Sequence, residues 1–233
     1  MLTLNDASEA QYPQRLIAQL IEKYAAEVPD EHRSRFTDQL RNYLFTMYTP
    51  FVTCFCESGD LLSQWRGYGN DGEGFALGFS GNWLQALEKK RFRLQRIIYD
   101  RAQQEDLVLM FLTMATDFMT KADLPEAETL TFWQAAASCL APWVVMFKDP
   151  TFSEEREWRL VNVDAVTRGL AFRRAGQRIV PYIEIPVTDG ALVRVVRGPF
   201  FAGTETRTAL MMLQASGLGK GVLVQESNIP LRR

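Results

Sequence analysis

Glu157 and Arg159 are the first candidates for chemistry in this chain of 233 residues. They lie in the stretch Phe147–Val161, with the sequence FKDPTFSEEREWRLV. If the C-terminal end of this stretch is a β-strand, the side chains of Glu157 and Arg159 lie on the same strand face, about 7 Å apart. Glu155 lies on that face as well if the strand begins before Glu157. The glutamate could accept hydrogen bonds from ligand hydroxyls, and the arginine could hold an anion. The alternative is that Glu157 and Arg159 form cross-strand ion pairs at a half-exposed sheet face.

A second cluster consists of Trp65, Arg66 and Tyr68, in the glycine-rich stretch Cys54–Ser80. Two aromatic rings and a guanidinium beside flexible glycines could stack a base or a nicotinamide-like ring and clamp a phosphate. We expect the two stretches to meet at one ligand pocket, and we count Lys148 among its ligand-binding residues.

The same glycine-rich stretch also has a structural interpretation. Trp65 could anchor the core while Arg66 pairs with Asp60 or Asp71. In Gly74–Ser80 the large side chains point one way and only small residues point the other, which predicts close approach by a packed helix or a ligand.

The cysteines and the only histidine exclude several kinds of site. Cys54 and Cys56 match neither a redox pair nor a zinc pair, and we interpret them as buried small hydrophobes. His32 lies in a charged segment and is predicted at the surface. Histidine-dependent nucleophilic catalysis and a metal site are therefore not expected, and any proton transfer would fall to Glu155, Glu157, Asp60 or a tyrosine.

The predicted elements give an α+β fold, with a mixed or antiparallel central sheet and helices at the N-terminus and in the middle. We predict one domain over 1–233. Its parts are N-terminal helices (1–50), an aromatic and glycine-rich strand–turn–strand (51–100), further helices (101–147) and mostly strands (148–233). The first N-terminal helix is predicted over Asp6–Ala26, with an apolar stripe formed by Leu16, Ile17, Leu20, Ile21 and Tyr24. The second is predicted over Glu31–Met47, and a hairpin is predicted around Ala175–Gly176.

Composition places the chain among globular proteins, with 47% hydrophobic and 23% charged residues. Its net charge of −2 argues against a general nucleic-acid coat. It has no apolar run that could span a bilayer and no secretory signal, and its three cysteines do not suggest a disulfide framework. We therefore expect a cytoplasmic protein without a membrane partner.

Several motifs together resemble the bacterial family known as domain of unknown function 2971. In chain order they are LND near Glu9, the block from CFC through SQWRGYG to GFALGF, FKDPTFSEEREWRL, IVPYIEIP, VVRGP and VLVQESNIPLR.

The resemblance implies an ADP-ribosyltransferase-like enzyme that acts as a toxin or a phage-defence effector. Trp65, Arg66 and Tyr68 would hold NAD, Glu157 or Glu155 would activate the acceptor, and Arg159 would orient the glutamate. Members of the family usually open with a His-Tyr-Thr-like strand that precedes the LND segment, so we expect an N-terminally shortened member.

Two other functions are open from the sequence. One is a non-catalytic module that binds a nucleotide-like ligand, and the other is a structural or partner-binding protein. The sequence does not give the reaction, the substrate, the target molecule or the oligomeric state.

Overall fold

The computed structural model divides the chain into two compact units. The first comprises residues 1–52 and 95–154, and the second comprises residues 53–94 and 155–233. The residues that the structure describes are 7–28, 37–38, 40, 50–88, 91–122, 125–162, 169–200, 204–216 and 220–230. The predicted single domain stays a prediction, because compactness does not test whether the units fold together.

The described helices and strands confirm the predicted α+β class. The helices are α1 (Ala7–Ala25), α2 (Leu62–Gly67), α3 (Gly81–Glu88), α4 (Arg101–Ala122), α5 (Glu126–Val144) and α6 (Thr204–Ala215). The strands are β1 (Val52–Cys56), β2 (Phe75–Phe79), β3 (Phe92–Arg96), β4 (Glu157–Asn162), β5 (Leu170–Ala175), β6 (Arg178–Ile183), β7 (Leu192–Arg197) and β8 (Leu223–Glu226). The helix predicted over Glu31–Met47 and the surface position predicted for His32 lie outside the described residues, apart from 37, 38 and 40 of that helix.

The first unit is a helical layer built from α1, α4 and α5. The apolar stripe predicted on α1 is buried, and it joins buried residues of α4 and α5 in one cluster. Helix α4 begins where the Asp100 carboxylate accepts a hydrogen bond from the backbone N–H of Gln103 at 2.7 Å. Such a cap satisfies one of the donors that every helix leaves unpaired at its start.

Gln104 connects distant segments of the first unit from a fully buried position. Its amide nitrogen donates to the carbonyl oxygens of Ile98 at 2.6 Å and Lys148 at 2.9 Å. Its amide oxygen accepts from the Tyr12 hydroxyl at 2.8 Å. Buried polar groups need such partners, and here they are distributed over α1, the segment before α4 and the segment after α5.

The second unit carries the sheets. One has the strand order β1-β4-β3, a second has the order β2-β7-β8, and β5 and β6 form a two-stranded ribbon. The ribbon confirms the predicted hairpin, whose turn contains Gly176 at a φ of 59°. Strand β7 is antiparallel to β2 and parallel to β8.

Each three-stranded sheet packs a helix against one face. Apolar residues of α3 contact the β1-β4-β3 sheet around Leu160. Leu210 and Leu213 of α6 pack against a cluster formed by Leu192, Val195 and Val222. Among the described helices, none combines the length and the apolar composition that crossing a bilayer requires.

Candidate functional site

Glu157 and Arg159 form a buried ion pair on β4. The Arg159 Nε lies 2.6 Å from Glu157 Oε1, and its Nη2 lies 3.2 Å from Oε2. Glu157 is 2% exposed and Arg159 is 0% exposed. Because β4 is the central strand of its sheet, neighbouring strands flank it on both sides. The predicted shared face is therefore observed, but the alternative of a half-exposed sheet face is wrong.

Glu155 does not extend this strand face. It ends a 3-10 turn over Pro150–Glu155, and Arg156 follows with a φ of 43° before β4 begins. A left-handed backbone conformation at a non-glycine residue breaks an extended strand. Glu155 and Glu157 are thus divided between a turn and a strand.

Trp65 occupies the position that the structural interpretation predicted. Its side chain is 3% exposed, and a Cβ added at Gly69 would lie 2.5 Å from the indole ring. The turn after α2 needs a glycine there for this close approach. Its Nε1 donates to the Asp60 carboxylate at 2.7 Å. Asp60, considered from the sequence as a partner of Arg66, is thus hydrogen-bonded to Trp65.

Arg66 and Tyr68 have a different environment from Trp65. Both are exposed, and Tyr68 exposes 58% of its surface. The three residues therefore do not present a single aromatic platform. The ligand-binding role of this cluster stays a prediction, as does its meeting with Glu157 and Arg159.

Lys148 belongs to the first unit, where its side chain is buried. Its ammonium nitrogen lies 5.1 Å from the centre of the Phe152 ring, within the range of a cation–π contact. Its ligand-binding role also stays a prediction.

The Asp60 carboxylate connects the Glu57–Asp60 segment to the end of β8. Besides Trp65, it accepts from the Ser227 hydroxyl at 2.5 Å and from the Asn228 backbone N–H at 2.9 Å. Burial raises the pKa of Asp60, but the hydrogen bonds from Ser227, Trp65 and Asn228 together lower it below the usual value. Asp60 is therefore a charged carboxylate that holds these two segments together.

A polar cleft of about 640 Å³ lies beside the Asp60 carboxylate. Its lining residues come from the Glu57–Asp60 segment, from β7, from β8 and from the residue at 228. They are Glu57, Ser58, Gly59, Asp60, Arg194, Val196, Gln225, Glu226 and Asn228. Within the described part of the chain, the side chains of Arg194, Gln225 and Asn228 form no hydrogen bond.

The small-residue side of β2 faces the same way as this cleft. Ala76 pairs with Val196 and Gly78 pairs with Arg194, and directly paired residues share a face of the sheet. A Cβ added at Gly78 would lie 2.9 Å from Arg194 Cβ. Glycine at 78 therefore makes room for Arg194.

Arg194, Gln225 and Asn228 were not singled out from the sequence. Arg194 directly precedes the family motif VVRGP, and Gln225 and Asn228 lie in the family motif VLVQESNIPLR. Neither motif has a spacing that is specific to a binding site. The pairing of β7 with β8 brings Arg194 and Gln225 to one surface. That pairing is a long-range feature that local patterns do not reveal.

The cysteines correct one prediction. Cys54 is exposed and Cys56 is half-buried, so a buried position for Cys54 is wrong. The reason is that β1 is an edge strand of its sheet. Across the described residues, no group of three or more His, Cys, Asp or Glu side chains could hold a metal ion.

Residues 64–160 match the family described as protein of unknown function (DUF2971). This part of the chain belongs to that family. The DUF2971 region contains the predicted catalytic and ligand-binding residues except Asp60, whereas Arg194, Gln225 and Asn228 lie beyond it. Comparison with curated proteins and with solved structures gave no match.

Proposed function

We propose that the protein binds a nucleotide-like small molecule, with NAD as the first candidate, in the polar cleft of the second unit. One observation carries this proposal. A single cleft is lined by Arg194, Gln225 and Asn228, and their side chains form no hydrogen bond within the described part of the chain. The cleft volume of about 640 Å³ lies within the range of small-molecule sites.

The chemistry of the lining suits the parts of a nucleotide. The Arg194 guanidinium can donate to phosphate oxygens, and the amides of Gln225 and Asn228 can both donate to and accept from a base. Carboxylates at the cleft can accept from ribose hydroxyls. Glu226 pairs with Arg197, which offsets one of the three acidic charges at the cleft that would repel a phosphate.

ADP-ribosyl transfer is the enzymatic form of this proposal, and it comes from the family resemblance. The reaction would break the bond between nicotinamide and ribose and join the ribose to an acceptor that Glu157 polarises. The described carboxylate is bound by Arg159, so the pair would have to open for Glu157 to reach a substrate. A toxin or phage-defence role would follow from the same reaction. Ligand binding requires no such opening and is therefore our leading proposal.

Calorimetric titration with NAD, ADP and adenosine tests the binding proposal. Arg194→Ala should weaken binding of the phosphate-bearing ligands by about tenfold to 100-fold, since hydrogen bonds to charged groups contribute more than neutral ones. Binding of adenosine should change less. Arg93→Ala removes an exposed arginine from another strand of the same unit and should leave all affinities unchanged.

Arg66→Ala distinguishes the cleft from the aromatic cluster. A loss of NAD binding in Arg66→Ala, with normal binding in Arg194→Ala, would move the site to Trp65, Arg66 and Tyr68. Absence of binding to all three ligands would reject the proposal. Mass spectrometry for released nicotinamide tests the enzymatic form, which requires that Glu157→Gln abolish the product in protein whose folding has been verified by its melting temperature.

A further inference from the structure

We propose that the ribbon of β5 and β6 binds the surface of an anionic lipid bilayer. The ribbon belongs to the second unit, but none of its residues lines the cleft, so this proposal does not rest on the first one. Its two strands of six residues are joined at the turn that contains Gly176. The two faces of the ribbon differ in chemistry, and both suit a lipid surface.

One face of the ribbon is apolar and becomes more exposed towards the turn. Directly paired residues share a face, so Phe172 and Pro181 lie together on it, and Ile179 lies two positions from Pro181 on the same side. At the end away from the turn, Ile183 packs with the cluster around Leu160. Nearer the turn, Phe172 is 63% exposed and Ile179 is 77% exposed, which is the highest value among the large apolar side chains that the structure describes.

The opposite face of the ribbon is positively charged. The pairing register places Arg173 and Arg178 on it. Both are exposed, and within the described part of the chain neither forms a hydrogen bond or an ion pair. Arg174 stands at the turn, where its Nε donates to the Gly176 carbonyl oxygen at 2.8 Å. Residues 165–183 contain four arginines and no aspartate or glutamate, so no acidic residue of the ribbon offsets this charge.

An anionic bilayer is the partner that uses both faces. Elements with arginine on one face and large apolar side chains on the other lie in the plane of the membrane interface, with the apolar face buried by about 5–10 Å. Arginine side chains are long enough to reach back to the lipid phosphates, and the negative surface potential attracts each of them. A ribbon that lies on the surface needs no spanning segment, so this proposal replaces our expectation of no membrane partner.

A single-stranded nucleic acid would use the arginines but not the apolar face. Proteins bind such strands through aromatic rings on which the bases stack. Phe172 supplies one ring, whereas Ile179 is the more exposed residue and has no flat face for a base. The aliphatic side chain therefore favours lipid.

Co-sedimentation of the full chain with lipid vesicles tests the proposal. The protein should bind vesicles of phosphatidylcholine that contain about one third phosphatidylserine, and it should bind pure phosphatidylcholine at least about tenfold more weakly. Raising the NaCl concentration to about 0.5 M should weaken binding to the anionic vesicles, because salt screens the arginines. Absence of binding to the anionic vesicles would overturn the proposal, and so would equal binding to both kinds of vesicle.

Ile179→Ser tests the apolar face. It should weaken binding to the anionic vesicles by about tenfold, because this side chain leaves water only when the ribbon meets the bilayer. The melting temperature should remain nearly unchanged, since the residue is exposed in the free protein. Met212→Ser is the matched control on α6, where the methionine is 68% exposed, and it should bind as the wild type does. Full binding by Ile179→Ser would show that the ribbon does not enter the interface.

The double variant Arg173→Gln, Arg178→Gln tests the charged face. Binding to the anionic vesicles should weaken by about fivefold for each arginine. The variant Arg15→Gln, Arg93→Gln changes the net charge equally at two exposed arginines outside the ribbon, and it should have little effect. Equal losses in the two double variants would contradict a role of the ribbon.

A labelled single-stranded oligonucleotide is the second probe. We expect it to bind more weakly than the anionic vesicles do. If the oligonucleotide binds through Arg173 and Arg178 while the vesicles do not bind, the partner of the ribbon is a nucleic acid and the proposal is wrong.

Discussion

The carboxylate of Asp60 stabilises the fold by accepting hydrogen bonds from distant parts of the chain. It receives two side-chain donors and one backbone donor, and two of these come from residues more than 160 positions away. A neutral amide cannot accept from three donors with the strength of a carboxylate.

Asp60→Asn should therefore lower the free energy of unfolding by about 1–3 kcal/mol at neutral pH. The dependence on pH follows from the lowered pKa of Asp60 in the folded protein. Its stabilising contribution is present above the unfolded value of about 3.9 and is lost as the pH falls through the folded value.

Urea denaturation of the wild type and of Asp60→Asn provides the measurement. The difference between the two proteins should be full at about pH 6 and should shrink as the pH falls below about 4. A difference that stays constant or grows over that range would show that the Asp60 charge does not stabilise the fold.

The pair of Glu157 and Arg159 makes a second prediction about single residues. Glu157→Leu leaves the buried Arg159 guanidinium without the carboxylate that pairs with it, which should cost about 3–5 kcal/mol of unfolding free energy. The double variant Glu157→Leu, Arg159→Met should lose less than the single variant, because neither charge of this pair remains buried. Thermal denaturation of both variants measures this, and an equal or greater loss in the double variant would contradict it.

At the scale of elements, the end of β7 packs against the turn before β2 without room for a side chain. A Cβ added at Gly198 would lie 2.2 Å from the Gly72 carbonyl oxygen. The Gly198 N–H also donates to the Gly74 carbonyl oxygen at 2.9 Å, so the two segments cannot separate without losing a hydrogen bond.

Gly198→Ala should thus destabilise the protein by about 1–3 kcal/mol, as overpacking does elsewhere. Gly81→Ala is the control, because its added Cβ would have no atom within 4 Å other than its chain neighbours and the backbone of its own helix. The control should be neutral or slightly stabilising. Chemical denaturation of both variants distinguishes this steric effect from a general cost of replacing glycine.

The elements that could be predicted from the sequence are those with local periodicity. The α1 stripe of Leu16, Ile17, Leu20 and Ile21 and the β5–β6 hairpin were both visible, because spacing along the chain determines which side chains share a face. The burial of Glu157 and Arg159 and the exposure of Cys54 were not visible. They depend on whether a strand is central or at an edge, and pairing between distant strands decides that.

Part of the candidate site could be predicted from the sequence, and part could not. Trp65 was identified from its residue type, and its burial agrees with one of the two interpretations given from the sequence. The cleft was missed, because Arg194, Gln225 and Asn228 come together only when β7, β8 and the segment after β8 are assembled. Individually they are ordinary polar residues.

For the whole molecule, the predicted single domain can be tested by destabilising the first unit and measuring the amide protection of both units. Leu112 is completely buried in the core of the first unit, and Leu112→Ala should cost about 2–5 kcal/mol. If the chain is one cooperative domain, amide protection governed by global unfolding should fall equally in both units.

Hydrogen exchange followed by mass spectrometry measures that protection separately in each unit. Met110→Ala is a suitable control, since it changes an exposed residue of the same helix and should leave protection nearly unchanged. Loss of protection confined to the first unit would contradict the single domain.

The bonds of Gln104 have a consequence for the order of events in folding. Its partners Tyr12 and Lys148 are 92 and 44 positions away along the chain, so both contacts require the closure of long loops. We therefore expect these bonds to be absent from the folding transition state. Substitutions of Gln104 would then accelerate unfolding and leave the refolding rate almost unaltered, which makes this amide a determinant of how long the native state persists.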